Sequence, residues 1–279
     1  MDLVIQAPHL APDDIGALAA LTGADGVEPL ARAANDAVRL HDVESDSGVA
    51  EACAAAGYDV ARVDAMQTLA RVRLVALDMD STLITIECVD EIADAQGIRP
   101  QVAAITAQSM RGEIDFAESL RRRVTLLAGV PVDALEKIYN ERLRLSLGAD
   151  TLLAALHAQQ TRTLLLSGGF TFFADRLRER LQLSAALSNT LEVVDGRLTG
   201  KLVGDMIDAE AKARELRKWS VDAHAGGGVA VAIGDGANDL PMFAAADVSI
   251  AWHAKPVVRA RATYAVDHCG LDAVLNLFA

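Results

Sequence analysis

Short runs of apolar residues recur along the chain from about residue 71, and stretches with helical periodicity separate them. Turn residues bound each run, which is typical of strands that are buried on both faces of a parallel sheet. The pattern therefore predicts a doubly wound α/β core with helices on both faces of the sheet. The runs span residues 73–78, 163–168, 229–235 and 248–252.

The segment between the first two runs is about 80 residues long and mostly helical in pattern, which is too long for a simple strand-helix-strand crossover. It predicts a helical cap over residues 87–150, inserted into a Rossmann-like core made of residues 71–86 and 151–279. Asp195-Gly196 lies between alternating apolar residues and predicts a β-hairpin within that core.

Residues 1–70 show a different pattern. It predicts a short strand over residues 3–6, a helix after Pro12, a further apolar stretch and a second helix near residues 49–56. We find no chemical motif in this segment. It is predicted to be a small α/β module, for which two interpretations stay open: a reduced, ACT-like regulatory domain that senses a ligand, or an element for packing or dimerisation.

Composition and charge exclude several classes of protein. The chain has 279 residues, of which 52% are hydrophobic and 23% charged, as in folded globular proteins. Its 39 acidic and 26 basic side chains give a net charge of −13, and the only tight basic cluster covers residues 121–123. Nucleic acid is therefore not an expected partner.

Cysteine spacing and hydropathy indicate the compartment. Cys53, Cys88 and Cys269 are widely separated and form no CxxC pair, so neither a disulfide framework nor a thiolate zinc site is predicted. The sequence has no run of 18 apolar residues, and its amino terminus lacks the pattern of a signal peptide. We expect a cytoplasmic protein that does not interact with membranes.

An aspartate pair follows the first predicted strand. Asp78 and Asp80 are separated by one residue, and two carboxylates this close repel each other unless a cation or a reacting group lies between them. Ligands of such sheets bind beyond the carboxyl ends of the strands. The pair therefore predicts a cation-dependent site; the alternative is an aspartate-rich turn that caps the next helix.

Two further polar motifs follow predicted strands. Residues 234–239 contain Asp235, Asn238 and Asp239, whose hard oxygen atoms suit Mg²⁺, although an ordinary turn is the alternative. Ser167-Gly168-Gly169 combines a hydroxyl with glycines and is expected to open a helix, which suits a phosphate; a helix N-cap is the alternative.

Two basic side chains lie on apolar helical stripes. In a helix predicted over residues 209–219, Lys212 shares a stripe with Leu216, which makes it a candidate phosphate-binding cation; snorkelling is the alternative. Arg123 shares a stripe with Leu120 and needs an anion, either an internal glutamate or a ligand carboxylate. Glu87, at the entrance to the cap, is a candidate to meet a ligand amine.

Taken in this order, the motifs resemble the haloacid dehalogenase-like hydrolases and, within them, closely the phosphoserine phosphatase family. The similarity covers residues 71–270 and is carried by LVALDMDSTLITIECVDEIA, GEIDFAESLRRRVTLL, LLLSGGF and AIGDGANDLPM. It implies a sheet core under a helical cap. It also implies Mg²⁺-dependent hydrolysis of O-phospho-L-serine to L-serine and phosphate, the last step of serine biosynthesis.

The resemblance assigns catalytic and metal roles to individual residues. Asp78 matches the nucleophile that forms an aspartyl-phosphate, and Asp80 matches the general acid and base. The Asp78 carboxylate, the Asp80 main-chain carbonyl and Asp235 match the ligands of Mg²⁺. Asn238 and Asp239 match positions that support the phosphate site and the surroundings of the metal.

The resemblance also assigns the substrate contacts. Ser167, Gly168 and Lys212 match the phosphate-binding positions of the family. Glu87 and Arg123 match the pair that recognises the amine and the carboxylate of serine, in agreement with their helical positions.

Rival interpretations differ in chemistry or in architecture. A phosphatase or phosphotransferase for another small phosphomonoester, such as phosphothreonine or phosphohomoserine, would use the same aspartates. A signalling receiver lacks both a cap and an acid two residues after its phosphorylated aspartate, and an ion-pumping ATPase needs membrane spans. A metal-binding protein without turnover is a further alternative. The sequence leaves open whether the protein is a monomer or a homodimer.

Overall fold

The structure is a computed structural model that describes residues 2–64 and 67–278. Its strands form a four-stranded sheet near the amino terminus and a seven-stranded sheet. The strands of the smaller sheet are β1 (Asp2–Ala7), β2 (Gly26–Leu30), β3 (Asp36–His41) and β4 (Asp59–Val63). The strands of the larger sheet are β5 (Val72–Leu77), β6 (Arg162–Phe170), β7 (Ala185–Val194), β8 (Arg197–Val203), β9 (Val229–Gly234), β10 (Val248–Trp252) and β11 (Tyr264–Val266).

The seven-stranded sheet confirms the predicted α/β core. Its order is β11-β10-β9-β5-β6-β7-β8, and all neighbouring pairs are parallel except β7 and β8. The central strand β5 lies between β9 and β6. The carboxyl ends of these three strands therefore meet at one edge of the sheet, where the strand order reverses and ligands of this fold class bind.

The antiparallel pair β7 and β8 is the predicted hairpin. Asp195 and Gly196 connect the two strands with φ angles of 49° and 73°. Both angles lie in the left-handed region that a tight two-residue hairpin turn needs, and an Asp-Gly pair provides it. The hairpin contacts the segment before residue 132, because the main-chain N–H of Gly129 donates to the carbonyl of Leu198 at 2.7 Å.

Helices occupy most of the segment between β5 and β6, as predicted, while the boundaries of the cap stay a prediction. They are α3 (Cys88–Ala95), α4 (Arg99–Met110), α5 (Phe116–Leu126), α6 (Val132–Lys137) with a π turn (Ile138–Arg142), and α7 (Ala149–Ala158). The other helices are α1 (Pro12–Thr22), α2 (Val49–Ala56), α8 (Thr171–Leu181), α9 (Ala209–Ala225), α10 (Leu240–Ala245) and α11 (Pro256–Arg259). Short 3₁₀ helices cover Leu69–Arg71, Ala237–Asp239 and Leu271–Leu277.

Two local predictions differ from the structure. The helix that carries Lys212 runs to Ala225, because its buried stripe continues through Ser220 and Ala223. Ser167-Gly168-Gly169 does not open a helix. These residues lie within β6, where the pairing with β7 shifts register between Leu166 and Phe170, and α8 begins only at Thr171.

The amino-terminal segment contains more strands than the sequence pattern predicts, while its assignment as a reduced regulatory module stays a prediction. Its elements follow the order β1-α1-β2-β3-α2-β4, and the antiparallel sheet has the order β2-β3-β1-β4, so it contains a full βαββαβ unit. One face of the sheet packs on residues of α1 and α2 such as Leu18 and Cys53. The other face, through Val4 and Val63, joins the hydrophobic core of the larger sheet.

Polar contacts also join the amino-terminal unit to the carboxyl-terminal part of the chain. The carboxylate of Asp59 accepts hydrogen bonds from the main-chain N–H groups of Asp267 and His268, at 2.8 and 3.1 Å. The amide of Asn276 donates to Oε1 of Gln6 at 2.9 Å. The amino-terminal unit is therefore packed against the seven-stranded sheet through apolar contacts and against the segment after β11 through polar contacts.

Asp59→Ala is expected to lower the free energy of unfolding by about 1–3 kcal/mol, because it leaves two main-chain donors without their acceptor in a partly buried place. Denaturant unfolding followed by circular dichroism measures the change. Glu51→Ala, at an exposed position of α2, is the control and is expected to change stability by no more than about 0.5 kcal/mol. Equal stability of the two variants would contradict the interface role of Asp59.

Among the described residues, no helix has both the length and the apolar character that crossing a membrane requires. The three cysteines are unpaired and buried.

Candidate active site

A cavity of about 680 Å³ opens at the edge of the sheet where β5, β6 and β9 end. Its walls contain eight of the ten predicted site residues, and the other two, Lys212 and Asp239, are buried behind Asp78. The structure thus brings all predicted site residues together, while their individual roles stay predictions. The eight residues on the wall are Asp78, Asp80, Glu87, Arg123, Ser167, Gly168, Asp235 and Asn238.

The Asp78 carboxylate is fixed from one side. Its Oδ1 accepts hydrogen bonds from the Lys212 ammonium at 2.7 Å and from the main-chain N–H of Met79 at 2.8 Å. The residue is buried at the end of β5. Both bonds reach the same oxygen, so the carboxylate is oriented while Oδ2 is left for other partners.

Lys212, predicted as a phosphate-binding cation, lies behind Asp78 and contacts carboxylates of the site. The side chain is 1% exposed, and its ammonium also donates to Oδ1 of Asp239 at 2.8 Å. Burial alone lowers the pKa of a lysine, but the carboxylates of Asp239 and Asp78 outweigh it and raise the pKa of Lys212 above its ordinary value. The lysine is therefore charged and bridges two carboxylates.

Asp80 lies on the cavity wall two residues further along. Burial, followed by the charges of Glu87 and Asp78, raises the pKa of Asp80 well above its usual range. The main-chain N–H of Cys88 donates to its Oδ1 at 3.3 Å. A carboxyl group with a raised pKa can hold a proton near neutral pH and give it to a leaving group.

The carboxylates of Asp78, Asp235 and Asp239 offer oxygen atoms that all lie within 4.8 Å of one another. Burial and the charge of Asp78 raise the pKa of Asp235, and the same causes raise the pKa of Asp239 to about 7 although Lys212 opposes the shift. Negative charge is thus in excess at this point. Carboxylate oxygens are ligands that Mg²⁺ prefers, so the donor set fits a divalent cation.

Two glycines allow the close packing of these groups. A β-carbon on Gly169 would lie 2.6 Å from Cε of Met79 and 2.9 Å from Oδ2 of Asp80. A β-carbon on Gly234 would lie 2.3 Å from Oδ2 of Asp239. Any side chain at either position would displace a carboxylate of the site.

Ser167 and Gly168 lie in the irregular end of β6, and Asn189 of the neighbouring strand holds this end in place. The Asn189 amide donates to the carbonyls of Gly168 and Ile207, at 3.0 and 3.1 Å, and its Oδ1 accepts from the Ile207 N–H at 2.8 Å. The side chain is 1% exposed. No sequence signal identified Asn189, because it belongs to none of the polar motifs that follow the predicted strands.

Thr82 is a second supporting residue that the sequence analysis missed. Its hydroxyl donates to Oδ1 of Asp235 at 2.9 Å and fixes that carboxylate against the segment after β5. Its position two residues after Asp80 was the available signal. A polar side chain in the segment that follows the aspartate pair lies at the same edge of the sheet as the site.

Arg123 and Glu87 line the cap side of the cavity. Arg123 is half-buried, and among the described residues no carboxylate oxygen lies within 4.0 Å of its side-chain nitrogens; Nε donates to the carbonyl of Ser119 at 3.4 Å. Burial lowers the pKa of Arg123 while Asp90, Glu87 and Asp80 oppose the shift. The alternative of an internal glutamate partner is thus not supported among the described residues, which leaves the guanidinium available to an anionic ligand.

Family models match most of the chain. The model described as haloacid dehalogenase-like hydrolase matches residues 75–244, which contain the cavity residues named above. Residues 3–48 match a model described as a domain of unknown function (DUF4072).

Known proteins resemble the chain in sequence and in structure. A phosphoserine phosphatase from Polaromonas is 51% identical over 210 residues, which are 74% of this chain and 89% of that protein. The crystal structure of a probable phosphoserine phosphatase from Vibrio cholerae is 36% identical with a TM-score of 0.83, covering 99% of this chain and 85% of that one. A HAD family hydrolase from Salmonella enterica serovar Typhi is 30% identical with a TM-score of 0.87, covering 100% and 99%.

Proposed function

The chain belongs to the haloacid dehalogenase-like hydrolases and, within them, to the phosphoserine phosphatase family, and we propose that it hydrolyses O-phospho-L-serine to L-serine and phosphate. The observation that carries the mechanism is the Asp78 carboxylate, oriented by Lys212 at the wall of a cavity that Asp80 also lines. A positioned carboxylate beside an acid is the arrangement that a two-step phosphoryl transfer needs.

In the first step, Oδ2 of Asp78 attacks phosphorus and the bond from phosphorus to the serine oxygen breaks. Asp80 gives its proton to that oxygen, because an alkoxide is a poor leaving group. Lys212 keeps Oδ1 hydrogen-bonded throughout and balances charge as the phosphate approaches. The products are L-serine and an aspartyl-phosphate on Asp78.

In the second step, water hydrolyses the aspartyl-phosphate. Asp80, now a carboxylate, takes a proton from the water as its oxygen attacks phosphorus, and the Asp78 carboxylate leaves. Phosphate is released, and both aspartates return to their starting protonation states. One carboxyl group thus serves both proton transfers.

Phosphate and metal are assigned to neighbouring groups. Ser167, Gly168 and Asn238 line the same cavity and bind the phosphate oxygens. The Asp78 carboxylate, the Asp80 main-chain carbonyl and Asp235 would hold Mg²⁺, with Asp239 supporting them through Lys212. When bound, Mg²⁺ neutralises charge that otherwise repels the phosphate dianion.

The cap side of the cavity selects the substrate. The guanidinium of Arg123, which has no carboxylate partner among the described residues, binds the serine carboxylate, for which its planar fork is suited. The Glu87 carboxylate binds the ammonium group. The substrate is thereby held by its three charged groups. A small phosphomonoester that lacks the amino-acid group loses two of these contacts.

The test of the proposed function is phosphate release from L-phosphoserine, phosphothreonine, phosphohomoserine and an aryl phosphate, each with Mg²⁺ and after chelation. We expect preference for phosphoserine, and loss of activity on chelation that added Mg²⁺ restores. Hydrolysis of the aryl phosphate alone would retain the phosphatase chemistry and refute the substrate. Preference for phosphothreonine or phosphohomoserine would assign the cavity to that substrate.

Arg123→Ala is expected to lower kcat/KM for phosphoserine by about 30- to 1000-fold. This corresponds to about 2–4 kcal/mol, the cost of leaving the substrate carboxylate without its charged partner. The effect should lie mainly in KM, and phosphoethanolamine, which has no carboxylate, should be hydrolysed at the wild-type rate. Steady-state kinetics on both substrates measure this. Arg122→Ala is the matched control, because that neighbour is exposed and pairs with Glu118. Unchanged kinetics of the Arg123 variant with phosphoserine would refute the carboxylate contact.

A further inference from the structure

Ser81 lies between the catalytic aspartates and the cap, and nothing in the proposed mechanism uses it. Its hydroxyl donates a hydrogen bond of 2.7 Å to Oε1 of Glu87. Ser81 directly follows Asp80, while Glu87 directly precedes α3, the first helix after β5. This bond therefore joins the segment that carries the reacting groups to the residue assigned to the substrate amine.

The backbone of Ser81 is held in an unfavourable conformation. Its φ is 56°, in the left-handed region that residues with a β-carbon rarely adopt. Its N–H donates to the carbonyl of Ile86 at 3.2 Å, which closes the segment back on itself beside Glu87. Glycine would adopt this φ freely, whereas serine adds a hydroxyl at the cost of strain. A strained residue next to reacting groups points to a use for its side chain.

The hydrogen bond from Ser81 uses only one of the two carboxylate oxygens of Glu87. Oε1 accepts from Ser81, and among the described residues no lysine, arginine or histidine nitrogen lies within 4.0 Å of either oxygen of Glu87. Glu87 also stands near the carboxylates of Asp235, Asp78 and Asp90, which repel it. Without a tether, a flexible glutamate would turn away from these charges toward solvent, because the side chain is exposed at the cavity.

We propose that Ser81 is a positioning residue that fixes the Glu87 carboxylate, so that its second oxygen, Oε2, meets the ammonium group of the substrate. The inference rests on the proposed function, in which Glu87 binds that ammonium group. Ser81 itself touches neither the phosphate nor the amine. Its contribution is therefore confined to substrates that carry an amine, and it requires Glu87.

The test compares O-phospho-L-serine with its des-amino analogue, 3-phosphooxypropanoate, in five variants. Ser81→Gly removes the hydroxyl and relieves the strain, and Ser81→Ala removes the hydroxyl but keeps the strain. Thr85→Ala is the matched control, because it removes a hydroxyl from the same segment that contacts Arg144 and not Glu87. The double variant Ser81→Gly/Glu87→Ala, compared with Glu87→Ala alone, measures the coupling.

For both Ser81 variants we expect KM for phosphoserine to rise about fivefold to tenfold, in line with the loss of one ordinary hydrogen bond, with kcat changed less than about twofold. KM for the des-amino analogue should stay at the wild-type value. Ser81→Gly should have no further effect once Glu87 is alanine. Thr85→Ala should match the wild type with both substrates.

Three outcomes would overturn the inference. One is wild-type kinetics of both Ser81 variants with phosphoserine. Another is an equal rise of KM with both substrates, which would assign a merely structural role. A third is a rise in Ser81→Ala but not in Ser81→Gly, which would show that the hydroxyl is not required when residue 81 adopts this φ freely. A wild-type protein that does not prefer phosphoserine over the des-amino analogue would instead refute the assignment of Glu87, and the inference with it.

Discussion

Asp78→Asn is expected to lower phosphate release by at least about 10⁴-fold with every phosphomonoester, because removal of a catalytic nucleophile typically costs that much. An amide oxygen is too weak a nucleophile to displace an alkoxide from phosphorus, so no aspartyl-phosphate forms. The substitution keeps the shape of the side chain. Its amide oxygen can still accept from Lys212 and from the Met79 N–H, and Asp239 still pairs with the lysine. The loss is therefore chemical and not a failure to fold.

Two measurements separate these causes. Phosphate release is followed for the variant with phosphoserine and with an aryl phosphate, and thermal unfolding is followed in parallel. Asp150→Asn, at an exposed position in the first turn of α7, is the control for the loss of one carboxylate and should keep wild-type activity. If Asp78→Asn retained a tenth of the wild-type rate while remaining folded, another residue would have to be the nucleophile.

The positions of the core strands could be predicted because they are a local property of the sequence. β5, β9 and β10 are buried on both faces, so each appears as an apolar run that ends at a polar residue. The position of Lys212 was equally local, since helical periodicity alone places it on a buried stripe. Its two partners were not, because Asp78 is 134 residues away along the chain and Asp239 is 27 residues away. The bridge from this ammonium group to Asp78 and Asp239 therefore depends on the tertiary structure and not on the local sequence.

The amino-terminal unit shows why some strands could not be predicted from the sequence pattern. The edge strand β2 has the sequence GVEPL, is largely accessible to solvent and contains Pro29, so it lacks both apolar alternation and the composition typical of a strand. A proline is tolerated there because an edge strand has unpaired main-chain groups. The same limitation applies to β11, whose three residues are too few to show a period.

Ser167-Gly168-Gly169 and Asn189 show a different limit. A hydroxyl followed by two glycines is compatible both with a helix start and with an irregular strand end, and the local sequence does not separate them. The choice is made by Asn189 in the neighbouring strand, which binds the carbonyl of Gly168 and the segment at Ile207. Such a contact exists only after β6 and β7 have paired. The residue types of the site were thus predictable, while Asn189, which holds this strand end in place, was not.

Asp80→Asn is expected to lower turnover of phosphoserine by about 10²- to 10⁴-fold, the usual contribution of general acid and base catalysis. Asparagine has nearly the same size but can neither give a proton to the serine oxygen nor take one from water. The raised pKa of Asp80 indicates that the wild-type side chain can hold the proton that the first step needs. Both steps should therefore slow with this substrate, without accumulation of the intermediate.

An aryl phosphate distinguishes the two roles, because a phenolate leaves without protonation. With Asp80→Asn, the first step should stay fast and the second should be slow, so rapid-mixing experiments should show a burst of phenol equal in amount to the enzyme, followed by slow turnover. Asp90→Asn removes another carboxylate from the same cavity wall and should alter KM without producing a burst. If Asp80→Asn turns over slowly but shows no burst, Asp80 acts before the aspartyl-phosphate forms and not on the water. A burst in both variants would assign the effect to the charge of the cavity, because proton transfer requires a group at the reacting atoms and charge does not.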